Sequence, residues 1–281
     1  MFRSLSITRG RGTAGFIAAV ILAILLLLGG CAAAPVQLRV LSYNIHHGEG
    51  MDGNFDLPRL AEVINSTEPD LVSLQEVDRG TTRAGGIDQA AELGRLTGMH
   101  VEYGPAMDYA GGEYGVAILS RLPFEAATNH PLPYTEGYEP RTALAAQATA
   151  GGIGEVTFIA THLQHNSAKD RLAQAQRICE LFVKDDGGLV ILAGDLNARP
   201  DSPPMIVMLD NWTAVAGALR ELESAPTFPS DEPDRKIDYI LLRPMDGWRV
   251  VEMKILHEPI ASDHCPLLAV LEYAGGEGAA E

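Results

Sequence analysis

Residues 189–200 read LVILAGDLNARP, and this stretch decides which fold the chain is expected to adopt. Its apolar first part, residues 189–193, predicts a buried strand that ends at a glycine. Asp195 and Asn197 follow at once, so an acid and an amide stand where the strand ends. Strand ends are positions from which a rigid scaffold presents side chains to a shared site. The stretch therefore predicts a sheet whose edge carries catalytic groups.

Four other apolar runs are followed or introduced by polar groups of the same kinds. LSYN ends on Asn44, LVSLQE on Glu76 and TFIATH on His162, while Asp263 and His264 introduce the last run. Singly, each has a structural explanation, as a turn-forming amide, a solvated acid or a histidine in the core. Five such ends, with residue types that suit a hard cation, favour one shared site.

Strands outnumber helices along the sequence, and several strands follow one another without a helix between them. This pattern disfavours a purely parallel doubly wound sheet and predicts an α/β (α+β) domain of two mixed sheets with helices outside. The predicted strands are 37–43, 70–74, 114–119, 142–148, 155–161, 189–193, 237–242, 248–256 and 266–271. The predicted helices begin after Asp56, span 87–96, and run from Ser167 to about 184.

The N-terminal 31 residues form a separate segment. Three arginines precede an apolar run at 14–28, which is short for a membrane-spanning helix and has the layout of a secretory signal. Residues 28–31, LGGC, also resemble a bacterial lipobox, which implies a signal peptide at 1–30, lipidation of Cys31 and a tether at 31–35. An uncleaved anchor is the alternative. Both predict an extracytoplasmic protein at a membrane, in the periplasm or at the cell surface.

The rest of the chain is predicted to be one domain, residues 36–274, followed by a flexible tail at 275–281. Without residues 1–30, 18 Lys and Arg face 37 Asp and Glu, a net charge of −19. Such a charge argues against tight nucleic-acid binding, which depends on Lys and Arg neutralising phosphates. It does not exclude a small phosphate ester held by a cation. Cys179 and Cys265 are compatible with one disulfide, although two unpaired thiols are the favoured interpretation.

The short motifs at these strand ends are shared, in the same order, by a known family. They are SYNIHHG (42–48), LQEVD (74–78), YGVAILSR (114–121), THL (161–163), GDLNARP (194–200), RKIDYIL (235–241) and SDHCPL (262–267). Together they resemble the endonuclease/exonuclease/phosphatase superfamily of metal-dependent phosphohydrolases. The resemblance covers nearly all of the chain after the N-terminal segment. It implies the DNase I-like fold, a four-layer sandwich of two packed sheets flanked by helices, in a secreted lipoprotein-type member.

The resemblance also implies roles for individual residues. Asn44, Glu76 and Asp263 are expected at a Mg²⁺ (or Mn²⁺) ion, which prefers oxygen ligands. The expected catalytic residues are Asp195, Asn197, His162, His264 and Asp238. In these roles Asp195 orients or deprotonates the attacking water with the help of Asn197, and Asp238 holds His264 in the required tautomer. His162 faces the phosphate as a second imidazole.

Weaker expectations concern the surroundings of the phosphate. Arg141 resembles an arginine that grips substrate phosphate, with a salt bridge at the rim as the alternative, and Tyr114 is a second candidate contact. Of His46 and His47, one is expected to line the pocket. Arg83 lies in a glycine-flanked stretch to which no role is assigned.

Several substrate classes are compatible with such a site. Three features favour a lipid headgroup or small phosphorylated metabolite as the substrate. They are the predicted membrane tether, the net negative charge, and the sequences NIHHG and EVDRGTTRAGGIDQ. The enzyme is expected to be a monomer. An extracytoplasmic nuclease is the alternative enzyme. An inactive surface-binding lipoprotein is the alternative from another class, although no expected catalytic position is missing.

Overall fold

Two β-sheets, each built from strands that are distant in sequence, carry the chain in the computed structural model. The structure describes Met1 and residues 36–183, 188–218, 224–244 and 247–273. The chain divides into Met1–Pro35 and Val36–Glu281, and the account below concerns the second unit. The predicted signal peptide beyond Met1, Cys31, the tether and the tail at 275–281 lie outside the described residues and stay predictions.

The described strands are, in chain order, Gln37–Asn44 (β1), Leu71–Arg79 (β2), His100–Tyr109 (β3), Gly112–Ser120 (β4), Phe124–Pro131 (β5), Thr142–Ala150 (β6), Gly154–His162 (β7), Leu189–Asp195 (β8), Thr213–Ala214 (β9), Asp238–Arg243 (β10), Trp248–Ile255 (β11) and Leu267–Tyr273 (β12). One six-stranded sheet has the order β11-β12-β1-β2-β4-β3, and the other has the order β5-β6-β7-β8-β10-β9. Each sheet is mixed, because β1–β2 and β7–β8 are parallel while the other neighbours are antiparallel.

The described helices are Leu57–Ser66 (α1), Gln89–Thr97 (α2), Ala168–Phe182 (α3) and Pro203–Leu209 (α4), with 3₁₀ turns at His46–Gly48 and Val215–Ala218. Helix α1 starts where the sequence predicts it. The Asp56 carboxylate accepts a hydrogen bond from the Arg59 N–H at 2.9 Å and so caps the first turn, which contains a proline. None of the helices that the structure describes combines the length and the hydropathy needed to cross a bilayer.

Successive side chains of a strand point to opposite faces of the sheet, and this produces four layers. On β1, Val40 faces the core between the two sheets and the next residue, Leu41, faces the core beneath α1 and α2. On β8, Ile191 joins the core between the sheets and Leu192 packs beneath α3 and α4. The order is therefore helices, sheet, sheet, helices, and the predicted α+β sandwich of two mixed sheets is confirmed.

Four of these strands and helices are absent from the predicted set, namely β3, β5, β9 and α4. Helix α2 also begins later than predicted, because the Asp88 side chain caps it by accepting from the Ala91 N–H. Gln174 lies on the buried face of α3 together with Ala175 and Ile178, because hydrogen bonds hold its side chain. Neither described cysteine forms a disulfide, and both thiols are free.

Candidate active site

The polar strand ends meet at one edge of the sandwich. β1 ends at Asn44, β7 ends at His162 and β8 ends at Asp195. Asp195 is the register partner of His162 on one side and of Asp238, the first residue of β10, on the other. The Asn44 side-chain nitrogen lies 3.2 Å from the Asp195 carboxylate, so the two sheets present their polar ends to a common cleft.

A β-bulge directs Glu76 into this cleft. The β2–β4 register shifts between Gln75 and Val77, and Glu76 between them has a φ of 58°. A bulge inserts one extra residue and re-aims its side chain, which is why it suits a site rather than a regular ladder. The Glu76 carboxylate accepts a hydrogen bond from the Asn44 amide at 3.2 Å and lies 3.7 Å from His47 Nδ1.

Two loop segments fix His264 and Asp238 against each other. The Thr227 hydroxyl accepts from the Asp238 N–H at 3.2 Å, and the Thr227 carbonyl accepts from the Cys265 N–H at 2.8 Å. The Ser262 hydroxyl donates to the Asn44 carbonyl at 2.7 Å and accepts from the His264 N–H at 3.2 Å. The loop that precedes β12 is thereby tied to both sheets.

The His264 imidazole lies between two acids. Its Nδ1 is 3.0 Å from Asp238 Oδ2, and its Nε2 is 3.7 Å from Asp195 Oδ2. Burial lowers the pKa of this imidazole, but the charge and hydrogen bond of Asp238, followed by Asp195, raise it to about 10. The ring of Phe228 packs against the imidazole at 4.6 Å between centroids. His264 is therefore held as a cation in one orientation.

Asp195 occupies the centre of the cluster. Its Oδ1 accepts from the Asn197 backbone N–H at 2.8 Å, while its Oδ2 lies 3.4 Å from His162 Nε2. Burial and the nearby charge of Asp238 raise the pKa of Asp195 to about 7. This carboxyl group therefore titrates near neutral pH, where a general base is most effective.

His162 is held neutral by the arginine behind it. Arg141 Nη1 lies 3.1 Å from His162 Nδ1 and donates to the Tyr114 hydroxyl at 3.3 Å. Since a guanidinium only donates, Nδ1 of His162 accepts. Its Nε2 lies 3.0 Å from the Asn197 amide nitrogen and 3.4 Å from Asp195 Oδ2. Burial and the Arg141 charge place the pKa of His162 well below its usual range. Arg141 is itself buried, so it is not a rim residue.

The cleft has a volume of about 430 Å³. His47 lines it, whereas His46 Nδ1 lies 2.9 Å from the Glu49 carbonyl oxygen. Arg83 also lines it and is fixed by two hydrogen bonds to the buried Asp78. The lining residues that the sequence analysis did not assign are Met107, Tyr109, Glu139, His165, Phe228, Arg235 and Ile237. Tertiary packing brings them here, and the sequence marked none of them as a site residue, although Arg235 and Ile237 lie in the RKIDYIL motif.

The expected metal ligands fit a hard divalent cation in charge and chemistry. Glu76 and Asp263 line the cleft with carboxylates, and Asp195 adds a third acid. Burial raises the pKa of Glu76, but its contact with His47, its hydrogen bond from Asn44 and the charge of His264 outweigh this, so its pKa lies well below the usual range. Burial raises the pKa of Asp263. A cation would neutralise this concentration of buried acids.

Two details bear on how such an ion would be held. The Asn44 amide nitrogen faces Glu76, because its oxygen accepts from the His46 backbone N–H at 3.0 Å, so its role as an oxygen ligand stays a prediction. Ligand atoms of Asp195, Asp238 and His264 also lie within 4.8 Å of one another. We assign that trio to catalysis, because the hydrogen bond between Asp238 and His264 already uses their facing atoms.

Comparison with known proteins gives a consistent result. A model described as the Endonuclease/Exonuclease/phosphatase family matches residues 41–264, a range that contains all the strand ends above. The chain is 28% identical over 250 residues to "Uncharacterized protein YbhP" of Escherichia coli K12, covering 83% of this chain and 95% of that protein. It is 26% identical over 207 residues to a 5'-tyrosyl-DNA phosphodiesterase of Caenorhabditis elegans, covering 69% of this chain and 53% of that protein. The chain thus spans about half the length of that phosphodiesterase.

A solved structure shares the architecture. The crystal structure of an endonuclease/exonuclease/phosphatase from Beutenbergia cavernae superposes with a TM-score of 0.72 at 27% identity. The match covers 87% of this chain and 74% of that one. The two packed sheets and the cleft between their polar ends therefore have a close structural counterpart.

Proposed function

This chain belongs to the endonuclease/exonuclease/phosphatase family of phosphoester hydrolases, and from that premise we propose that it is a Mg²⁺- or Mn²⁺-dependent phosphoesterase that works outside the cytoplasm. The observation that carries the proposal is the convergence of Asp195, His162 and the His264–Asp238 pair on one cleft. Glu76 enters the same cleft from the other sheet.

Asp195 is the group placed to activate water. Its Oδ1 is immobilised by the Asn197 N–H, which leaves Oδ2 toward the centre of the cleft. A water beside Oδ2 would give up a proton to Asp195 as its oxygen attacks phosphorus. Positive φ at Asn197, 48°, turns the chain back so that its N–H reaches the carboxylate. General-base help of this kind contributes roughly 10² to 10⁴ in rate.

His264 and His162 are placed to contact the two other kinds of oxygen in the reaction, the non-bridging oxygen and the leaving oxygen. The cationic His264, held at Nδ1 by Asp238, directs its Nε2–H to a non-bridging phosphate oxygen, where negative charge develops. We propose that the neutral His162, whose Nε2 lies between the Asn197 amide nitrogen and Asp195 Oδ2, serves the leaving oxygen. Arg141 and Tyr114 contact each other behind His162, so their direct contact with substrate phosphate remains part of the proposal.

A divalent cation bound at Glu76 and Asp263 would polarise a phosphoryl oxygen and offset the charge of the surrounding acids. The proposed substrate is a phosphodiester or phosphomonoester of a lipid headgroup or small metabolite. A cleft of about 430 Å³ suits a group of that size, and the net charge of −19 after residue 30 disfavours tight binding of a polyanion. A nuclease is retained as the second candidate because a DNA phosphodiesterase is among the relatives.

The test is a hydrolysis panel with the full chain in detergent, with and without Mg²⁺ or Mn²⁺. The panel contains bis-p-nitrophenyl phosphate, sphingomyelin, glycerophospholipids, inositol phosphates and plasmid DNA. We expect His264→Ala and Asp195→Ala to lower turnover at least about a hundredfold, since each removes a group in the reacting shell. The matched controls His257→Ala and Asp234→Ala replace exposed residues of the same types and should retain turnover.

The outcomes separate the candidates. Substantial turnover in either His264→Ala or Asp195→Ala would contradict the assigned site. Efficient cleavage of plasmid DNA without hydrolysis of lipids or small esters would favour the nuclease. No hydrolysis of any compound with either cation would favour an inactive binding protein.

A further inference from the structure

An apolar groove adjoins the catalytic cleft and takes no part in the chemistry above. It has a volume of about 370 Å³ and is lined by Phe55, Leu57, Pro58, Ala84, Ile87, Gln89 and Glu92. Phe55 and Ile87 are 49% and 47% exposed, although both are large and apolar. Exposed apolar side chains that share a concave surface indicate a binding site more often than isolated ones do.

The groove and the cleft share a wall. The ring of Phe55, in the groove, lies 5.9 Å from that of His47, which lines the cleft and contacts Glu76. On the other side, Arg83 lines the cleft and the next residue, Ala84, lines the groove. A molecule whose phosphate lies beside Glu76 could therefore extend past His47 into the groove.

The loop that carries Ile87 is fixed in place. The Gly80 N–H donates to the Ile87 carbonyl at 2.9 Å, and the Gly86 N–H donates to the Thr81 carbonyl at 2.9 Å. Gly86 has a φ of 78°, a conformation that side chains disfavour, so the turn depends on this glycine. The exposure of Ile87 is thus built into the loop.

The polar groups that line the groove already have partners. The Gln89 side chain accepts from the Asp78 N–H at 2.9 Å and donates to the His47 carbonyl at 2.6 Å. Glu92 pairs with Arg95 at 2.7 Å. A sugar or a base would find few free hydrogen-bonding groups here and would leave its own unpaired. An alkyl chain needs none.

We propose that the groove holds the hydrocarbon chain of the substrate, so that the enzyme prefers amphiphilic phosphate esters. This inference rests on the proposed phosphoesterase function and specifies its substrate class. The phosphate lies in the cleft, and the chain runs past His47 between Phe55 and Ile87. Each methylene that leaves water stabilises the bound ester, so longer chains bind better until the groove is full.

The experiment compares two diesters, ethyl and dodecyl 4-nitrophenyl phosphate. In both, water attacks phosphorus and 4-nitrophenolate leaves with the bonding electrons. The full chain is assayed in one fixed concentration of nonionic detergent with Mn²⁺. We expect kcat/KM for the dodecyl ester to exceed that for the ethyl ester by at least about tenfold, which about two buried methylenes would supply.

Ile87→Asp should bring this ratio close to one, because it places a charge in the path of the chain. The matched control is Ile206→Asp, since Ile206 is 53% exposed on α4 and lies outside the groove. The control should keep the wild-type ratio. Both esters are measured on the same preparation, so the ratio is independent of the folded fraction. Ile87→Thr, a milder change, should lower the ratio in the same direction.

Each result has a distinct meaning. If the wild-type chain hydrolyses neither ester, the proposed function fails. If it hydrolyses both with equal kcat/KM, or if both Ile87 variants keep the preference, the groove proposal is overturned while the phosphoesterase stands. If Ile87→Asp keeps the preference but changes a dimer into a monomer in light scattering, the groove is a self-association surface and the proposal is likewise overturned.

Discussion

Backbone strain at single residues coincides with the cleft. Glu76, His47 and Asn197 all line it, and they have positive φ values of 58°, 44° and 48°. For a residue with a side chain this region costs roughly 1–2 kcal/mol, so the surrounding structure must hold it. Strained backbone conformations of this kind concentrate at functional sites. Here they orient a carboxylate, an imidazole and an amide in the cleft.

Glu76 allows a test of cation binding that does not depend on turnover. Mn²⁺ at ten times its Kd should stabilise the folded wild-type chain by about 1.4 kcal/mol, because ligand binding favours the folded state. For a domain of this size the corresponding rise in Tm is roughly 3–6 °C. Glu76→Gln removes the charged ligand and should abolish the rise, as measured by calorimetry with and without Mn²⁺.

Glu62→Gln provides the matched control, since Glu62 is exposed on α1 outside the cleft. It should show the same Mn²⁺-dependent rise as the wild type. An undiminished rise in Glu76→Gln would mean that the cation is held elsewhere, with the trio of Asp195, Asp238 and His264 as the first candidate.

The sequence identified the cleft residues that adjoin an apolar run, whether on a strand or, like His264, in the loop just before one. It did not identify those that longer loops bring there. Asn44, His162 and Asp195 were recognisable because each terminates an apolar run, and strand ends in neighbouring positions must meet. Phe228 and Arg235 also line the cleft, yet they reach it through the loop that precedes β10. The path of that loop depends on hydrogen bonds to Thr227 and Ser230 that no local pattern specifies.

At the scale of elements, the start of α3 supports the segment that precedes Arg141. The Asp170 carboxylate, in the first turn, accepts from the Thr135 hydroxyl at 2.7 Å and from the Thr135 N–H at 3.1 Å. Gln174, one turn later, donates to the Pro133 carbonyl at 3.0 Å. The helix thereby anchors the segment that leads to Arg141.

Asp170→Ala should lower the free energy of unfolding by about 1–3 kcal/mol, because it removes two hydrogen bonds that the charged carboxylate accepts from Thr135. The hydrogen bond from the Thr135 hydroxyl, the largest cause, lowers the pKa of Asp170. A lowered pKa stabilises the folded state fully above the unfolded value of about 3.9, and the contribution disappears as pH falls through the folded value. The difference between wild type and variant should therefore be constant near neutral pH and shrink below about pH 4.

Urea denaturation at a series of pH values measures this difference. Glu180→Ala is the control, because Glu180 is exposed on the same helix and its pair with Arg177 is solvated. It should change stability little at any pH. A variant difference that grows with acidification would show that Asp170 is not stabilised in its charged form.

At the scale of the whole molecule, the layers were predictable, whereas three of the four edge strands, β3, β5 and β9, were not. Neighbouring apolar side chains such as Val40 and Leu41 face opposite sides of their strand, so the strand lies between two hydrophobic cores. Strands of this kind predict a layered sandwich. β3 is an edge strand that contains Gly104 and Pro105, and its register shifts just after the proline. Edge strands tolerate proline and polar residues because one side forms no ladder, so their sequences lack the usual signal.

We propose that the N-terminal segment determines where the molecule works. A run of 15 apolar residues is shorter than the roughly 20 that a spanning helix needs, whereas several acyl chains on Cys31 would anchor the chain stably. In a bacterial host we therefore expect the wild type to enter the detergent phase of a Triton X-114 separation. Its mass should show the loss of residues 1–30 and the addition of lipid at Cys31. Cys31→Ser should lack that lipid.

Cys179→Ser is the control, because Cys179 lies on α3 in the folded domain and should not affect partitioning. An uncleaved anchor gives a different pattern, since both the wild type and Cys31→Ser would then enter the detergent phase with residues 1–30 intact. A wild-type chain found in the aqueous phase would contradict both forms of attachment. The groove beside the cleft would then have to take its amphiphilic substrates from micelles or carrier proteins, because the enzyme would not be held beside a bilayer.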